Sequence, residues 1–255
     1  MNKLDVLNRD AFVEQLLRLM DNISSNKAST CFAINGAWGC GKSFVLDMLE
    51  EKLNTIQSEE TYTDKYFAIR YNSWAFDYYE EPLVAIVSTM ITAIEEKAKL
   101  FPDSQEKQEI LGVLKATGVA LLSIANAAVK EKTGLDWQTA FETVCKGKKE
   151  GAAAYESAHE YDAYFSFNKM ISKLSELLGE ISREYTVVLI VDELDRCIPE
   201  YAVKVLERLH HLIEGQSNII TVLAIDKPQL VASVGQLFGF EHPEKYLEKF
   251  INFEI

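Results

Sequence analysis

The chain has 255 residues, with 26 Lys and Arg against 39 Asp and Glu and a formal net charge of −13. It has no basic surplus with which to displace counterions, which speaks against a nucleic-acid backbone as its main partner. Hydrophobic residues make up 48% and charged residues 25%, a balance that suits one large α/β domain or two small ones with a sizeable core and excludes global disorder.

The stretch from Met1 to Met20 is interrupted by Asp5, Arg9, Asp10, Glu14 and Arg18 and lacks the apolar core and small-residue cleavage site of a secretory signal. The cysteines, Cys31, Cys40, Cys145 and Cys197, make no CxxC pair and no His/Cys cluster. That is the usage of reduced thiols rather than of a disulfide frame or a zinc site, so a cytoplasmic location is expected.

From Asp10 to Met20 apolar residues recur at helical spacing (Phe12, Leu16 and Leu19, flanked by Val13, Leu17 and Met20), which predicts a first helix capped by Asp10. Thr30 to Ile34 reads as a short apolar strand running into a Gly-rich turn, and Lys42 to Leu53 as a helix with Phe44, Val45, Met48 and Leu49 on one side. Tyr66 to Tyr71 reads as a second strand, followed by Asn72-Ser-Trp-Ala-Phe76, and Pro82 opens a long helix to about Ala98.

Phe101 to Tyr161 reads as an inserted helical subdomain, which divides the chain into residues 1–100, 101–161 and 162–255. Within it, Ile110 to Val129 is long enough to span a bilayer. Lys115 leaves only Ala116 to Val129 uninterrupted, and Thr117, Ser123 and Asn126 are polar, so a buried or partner-facing helix is favoured over membrane contact through 110–129. Phe165 to Glu184 is helical in pattern. Thr186 to Val191 and Asn218 to Ile225 are strands apolar on both faces, as in a covered parallel sheet. Strands alternating with helices predict an α/β sandwich.

Gly36, Ala37, Trp38, Gly39, Cys40, Gly41, Lys42 and Ser43 spell G-x-x-x-x-G-K-[ST], between a predicted strand and a predicted helix. Glycines let consecutive backbone N–H groups curl around a phosphate at a helix N-terminus. Lys42 would then reach the β- and γ-phosphates and Ser43 would bind Mg²⁺, and the nucleotide-binding set runs on to Phe44. The strand ending at Val191 leads into Asp192 and Glu193. Asp192 can hold Mg²⁺ through water, and Glu193 can orient or deprotonate an attacking water. Arg196 has two readings, a stabiliser of transition-state charge or a local partner of Asp195 or Glu200. Asp226 likewise either senses the γ-phosphate or caps the turn Asp226-Lys-Pro228.

Together, Gly36 to Ser43, Asn72-Ser-Trp74 and Val191-Asp-Glu-Leu-Asp-Arg-Cys-Ile-Pro199 resemble the KAP family of P-loop NTPases, whose signatures are similar to G-x-W-G-x-G-K-S, N-A-W and D-D/E-L-D-R-C-x-P. Asp10-Ala-Phe12 and Leu223-Ala-Ile-Asp226 are similar to family elements as well. The resemblance implies a three-layer α/β/α, mostly parallel sheet in the order 5-1-4-3-2, ATP and Mg²⁺ as ligands, and in bacteria a role in defence against phage. It also implies that the chain is the N-terminal core of a longer protein, and that transmembrane helices, where members have them, fall where Ile110 to Val129 lies. Ser73 replaces the usual small apolar residue, and Glu193 an Asp found in many members.

Other features are read as incidental. Asn2-Lys-Leu-Asp5 matches a guanine-reading motif but precedes the loop, Cys40 fills a position that needs a small residue, and the adjacent His210 and His211 face different sides of a helix. Trp38 and Trp74 are read as packing residues, Trp38 bracing the loop from outside. The sequence does not place the residues that contact the base, since such pockets are built from poorly patterned segments like that around Asn8 to Phe12. Two functions fit: an ATPase that couples turnover to assembly with protein partners or its own copies, and a nucleotide-gated interaction module with slow turnover.

Overall fold

The structure, a computed structural model, describes residues 5, 7–56, 65–96, 112 and 160–255, with side chains from 171 onward in the last span. Nearly all of the expected insertion, including its 110–129 segment apart from residue 112 and also Cys145, lies outside the described residues. Among those described, no helix is long and apolar enough to cross a membrane.

In chain order the elements are α1 (Asp10–Ser25), β1 (Thr30–Asn35), α2 (Lys42–Leu53), β2 (Tyr66–Asn72), α3 (Pro82–Glu96), α4 (Glu160–Glu184), β3 (Thr186–Asp192), α5 (Pro199–Ile213), β4 (Ile219–Ile225), α6 (Lys227–Phe238), α7 (Glu244–Leu247) and β5 (Phe253–Glu254). The strands form one parallel sheet in the order β2-β3-β4-β1-β5. Read from its other edge this is 5-1-4-3-2, the order that the resemblance implied.

Side chains alternate across a strand, so each strand serves two cores. Phe32, Ile34, Ala68, Val188, Ile190, Ile220 and Val222 face α1 and α2, packing with Val13, Leu16, Met20, Val45, Leu46 and Leu49. Ala33, Phe67, Ile69, Val187, Leu189 and Leu223 face the opposite layer, where residues of α3, α4, α5 and α6 cover them. On α2, Leu46 and Leu53 join Val45 and Leu49 in the core, while Phe44 and Met48 are only half-buried.

Two local expectations are corrected. Asp10 does not cap α1. It is the first helical residue, Arg9 occupies the cap position, and the Asp5 carboxylate accepts from Arg9 N–H at 2.8 Å and Asp10 N–H at 2.9 Å. The Arg9 N–H bond holds the Asp5 carboxyl below the usual carboxylate range. Asp10 instead pairs with Lys52 of α2 at 2.7 Å. The last strand expectation began at Asn218, but β4 begins at Ile219. Asn218 is left-handed (φ 60°) and spends its side chain on Ser182 O at 2.9 Å, Tyr185 O at 3.2 Å and the Thr186 hydroxyl at 2.9 Å.

In-register parallel pairing brings the carboxyl ends of the strands to one edge, with Asn72 opposite Asp192 and Asn35 opposite Ile225. The Gly-rich turn leaves β1 at that edge, between β4 and β5. Open parallel sheets bind ligands at such a place.

Two buried threonines behave oppositely. Thr221 is 1% exposed and its hydroxyl has no partner among the described residues, so Thr221→Val is expected to raise the unfolding free energy by about 1 kcal/mol. Thr186 donates to Asn218 Oδ1 at 2.9 Å and shares a hydrogen bond with Ser24 Oγ at 2.6 Å, so Thr186→Val is expected to cost about 1–3 kcal/mol. Urea denaturation of the two variants checks both signs.

Candidate nucleotide-binding site

The loop is anchored where β1 ends. Gly36 N–H donates to Ile225 O at 3.0 Å, and Asn35 Oδ1 accepts from Lys227 N–H at 3.1 Å, so the turn starts from two strands and a helix at once. Gly39 (φ 80°) and Gly41 (φ 95°) adopt left-handed conformations that a side chain would strain. At Gly36 a Cβ would lie 2.7 Å from Cys40 Sγ. Gly41 is the cap residue of α2 and no side chain caps that helix, so its first N–H groups and the positive end of its dipole remain for an anion. Lys42 folds back over the loop, its Nζ donating to Gly36 O at 2.6 Å and Ala37 O at 3.3 Å. Arg9 buttresses the loop from outside by donating to Cys40 O at 2.8 Å.

Across from the loop stands the end of β3. Asp192 is 4% exposed, accepting from Arg70 Nη2 at 2.7 Å and from Glu193 N–H at 2.9 Å. Glu193 is left-handed at φ 58°, a strained state for a side-chain-bearing residue. Both of its oxygens are engaged, Oε2 by Asn72 Nδ2 at 2.9 Å and Oε1 by Arg196 Nη1 at 3.3 Å. Asn72 Oδ1 in turn accepts from Ala75 N–H at 3.0 Å, which fixes the orientation of its amide.

Between the two walls lies a cavity of about 160 Å³. Beside the ~300–1,000 Å³ of an ordinary ligand pocket this is room for a phosphate group rather than a base. Trp38, Gly39, Gly41, Lys42 and Ser43 line it from the loop, and Asp192, Glu193, Asp195 and Arg196 from the β3 side. Gly36, Ala37, Cys40 and Phe44 belong to the loop and the first turn of α2 but do not line the cavity. Asp226 stands behind the loop, 8% exposed, its Oδ2 accepting from Trp38 N–H at 3.2 Å.

Several readings of the sequence change here. Trp38 and Trp74 are not packing residues, being 54% and 50% exposed. The Trp38 indole N–H donates to Asp195 and so bridges the cavity mouth, and Trp74 lies under the Arg196 guanidinium at 5.4 Å. The local partner of Arg196 is Glu193, not Asp195 or Glu200, because Asp195 is taken by Trp38 and Glu200 pairs with Lys204 at 3.0 Å. Asp226 precedes α6 without a side-chain capping bond and turns toward the loop instead. Arg9 and Arg70 carried no role in the sequence reading, Asp195 entered only as a candidate partner of Arg196, and Asn72 was noted only within a motif. Arg70 did leave a signal, as a charge inside an otherwise apolar strand requires a partner.

Of the described thiols, burial pushes Cys31 up to about 12 and raises Cys197 well above its ordinary value, whereas Cys40 is exposed on the loop.

The model of the KAP family P-loop domain matches residues 9–255. The chain belongs to the KAP family. It is a P-loop NTPase domain, and nucleotide binding comes with that membership. Among solved structures, that of the Aeropyrum pernix ORC2 protein (ADPNP–ADP complexes) is similar at a TM-score of 0.45 and 14% identity, over 100% of this chain and 48% of that one. The KAP chain thus spans about half the length of that protein. The curated proteins give no match.

The bridge from Trp38 to Asp195 yields a test of its own. Asp195 is 7% exposed, and Trp38→Phe removes the indole donor, so a loss of about 1 kcal/mol in unfolding free energy is expected. Asp195→Asn keeps an acceptor and is expected to lose less. Chemical denaturation of the two variants compares them.

Proposed function

We propose that this KAP domain binds ATP with Mg²⁺ and hydrolyses it. The observation that carries the reading is that the uncapped start of α2, with Lys42 and Ser43, faces Asp192 and Glu193 across one phosphate-sized cavity. The donors fit a small hard cation, since Ser43 of α2 and the Asp192 carboxylate offer oxygens on the same cavity. Bound there, Mg²⁺ would neutralise charge on the phosphate oxygens.

The chain's own groups do the remaining work. Loop N–H groups cradle the phosphates, and Lys42 trades the Gly36 and Ala37 carbonyls for phosphate oxygens. Glu193 takes a proton from water once it leaves Asn72 and Arg196, and the Arg196 released in that exchange is a cation for developing charge. Asp226, bonded to the loop backbone at Trp38, relays the position of the loop to α6. The core is built from residues 1–100 and 162–255 around the 101–161 insertion. In a cytoplasmic setting, hydrolysis would govern assembly with protein partners or further copies, in bacterial defence against phage.

One observation favours the second reading, a nucleotide-gated interaction module. Both Glu193 oxygens are occupied, so turnover by the chain alone is slow unless a partner assists the exchange. Single-turnover hydrolysis and nucleotide binding with Mg²⁺ decide between them. On the ATPase reading Lys42→Ala abolishes binding, and Glu193→Gln keeps binding but lowers the rate by at least about a hundredfold. A parent no faster than Glu193→Gln identifies the module instead.

A further inference from the structure

Arg70 is the largely buried cation of the site that lies outside the loop motif, its side chain 19% exposed. It projects from β2 between carboxylates of two other elements, with Nη2 2.7 Å from Asp192 Oδ2 and 3.7 Å from Asp47 Oδ1. Asp47 lies one helical turn beyond Ser43 on α2, so Arg70 joins the helix that carries Ser43 to the strand end that carries Asp192. Its Nη1 is buried and has no partner among the described residues. The guanidinium is therefore a fixed positive charge, incompletely hydrogen-bonded, resting on the carboxylate that faces the cavity.

We propose that Arg70 is the counter-ion of Asp192 and competes with the divalent cation for that carboxylate, so that the cation enters with the nucleotide and not ahead of it. The proposal rests on the reading of Asp192 as the metal-side carboxylate. A dication approaching Asp192 in the empty site meets a positive charge already on it, in surroundings too enclosed for solvent to screen the repulsion fully. Phosphate oxygens bring the negative charge that offsets it. The aim of Asp192 does not depend on Arg70 alone, because Oδ1 also accepts from Glu193 N–H at 2.9 Å at the end of a paired strand. Loss of the Arg70 charge therefore strengthens cation uptake. A purely structural Arg70 would give the opposite sign.

Mn²⁺ is a suitable probe, titrated with and without ADP while the free-ion electron paramagnetic resonance signal is followed, on the parent, Arg70→Gln, Arg70→Met, Arg70→Lys and Asp192→Asn. Without nucleotide, the two neutral variants are expected to take up Mn²⁺ with a midpoint at least about tenfold below the parent's, and the gain from adding ADP shrinks. Arg70→Lys keeps the charge and stays within about twofold of the parent. A neutral-variant midpoint equal to or above the parent's overturns the proposal, as does an Arg70→Lys shift as large as that of Arg70→Gln. If circular dichroism shows that neither neutral variant folds, Arg70→Lys decides: a midpoint within twofold supports the proposal and a tenfold change overturns it. Asp192→Asn separates the two layers of the argument. If it leaves every midpoint unchanged, the metal reading of Asp192 fails and the proposal with it. If it weakens uptake while the neutral Arg70 variants do not strengthen it, the Arg70 proposal alone fails.

Discussion

The ion pair between Arg70 and Asp192 holds the edge of the sheet on which the site is built. Parallel strands in register deliver their ends to one place, and here that place is acidic, with Asp192, Glu193, Asp195 and Asp226 all at or near it. A carboxylate that is 4% exposed is costly unless it is paired. Arg70 supplies the charge from the neighbouring strand, and it does so on the face that α2 covers, so one contact ties β2, β3 and the loop-bearing helix together. Without it Asp192 would have only the Glu193 N–H in the direct contacts of its carboxylate.

The other charges around the cavity follow the same rule. Glu193 is held by Asn72 and Arg196, Asp195 by the Trp38 indole, Asp226 by the Trp38 backbone, and Lys42 by two carbonyls of its own loop. A ligand entering this cavity exchanges partners with these side chains, while the uncapped N–H groups of α2 are there to receive it. Individual hydrogen bonds contribute only about 1 kcal/mol net, so such exchanges are close to balanced and a modest difference in affinity moves them. The left-handed backbone of Glu193 adds local strain at the end of β3. Trp38 joins the two walls, since its main chain and side chain bond to carboxylates from different segments.

The scaffold beneath is stiff where this matters. The α2 helix packs through Val45, Leu46 and Leu49 onto the sheet and α1, and Lys52 near its far end bonds to Asp10 and Glu14 of α1. The start of α2, with its uncapped N–H groups, therefore stands on a braced helix.

Much of this was legible in the sequence because it is local. The apolar strands, the helix periods, the glycines of the loop and the Asp192-Glu193 end of β3 each depend on neighbours a few residues away. Resemblance to the KAP family supplied the strand order, which periodicity could not. The N-terminal cap was misassigned to Asp10, because Asp5 reaches it from outside the helical pattern. What the sequence by itself determined is the first four strands and the helices between them, the phosphate loop and the acids that face it, but not α6, α7 or β5. The tertiary structure alone decided which cation or donor each acid meets. Arg70 lies 122 residues from Asp192, Asn72 lies 121 from Glu193 and Trp38 lies 157 from Asp195. Those pairs exist because strand register and two-sided packing bring distant segments to one edge, and no local pattern encodes that juxtaposition.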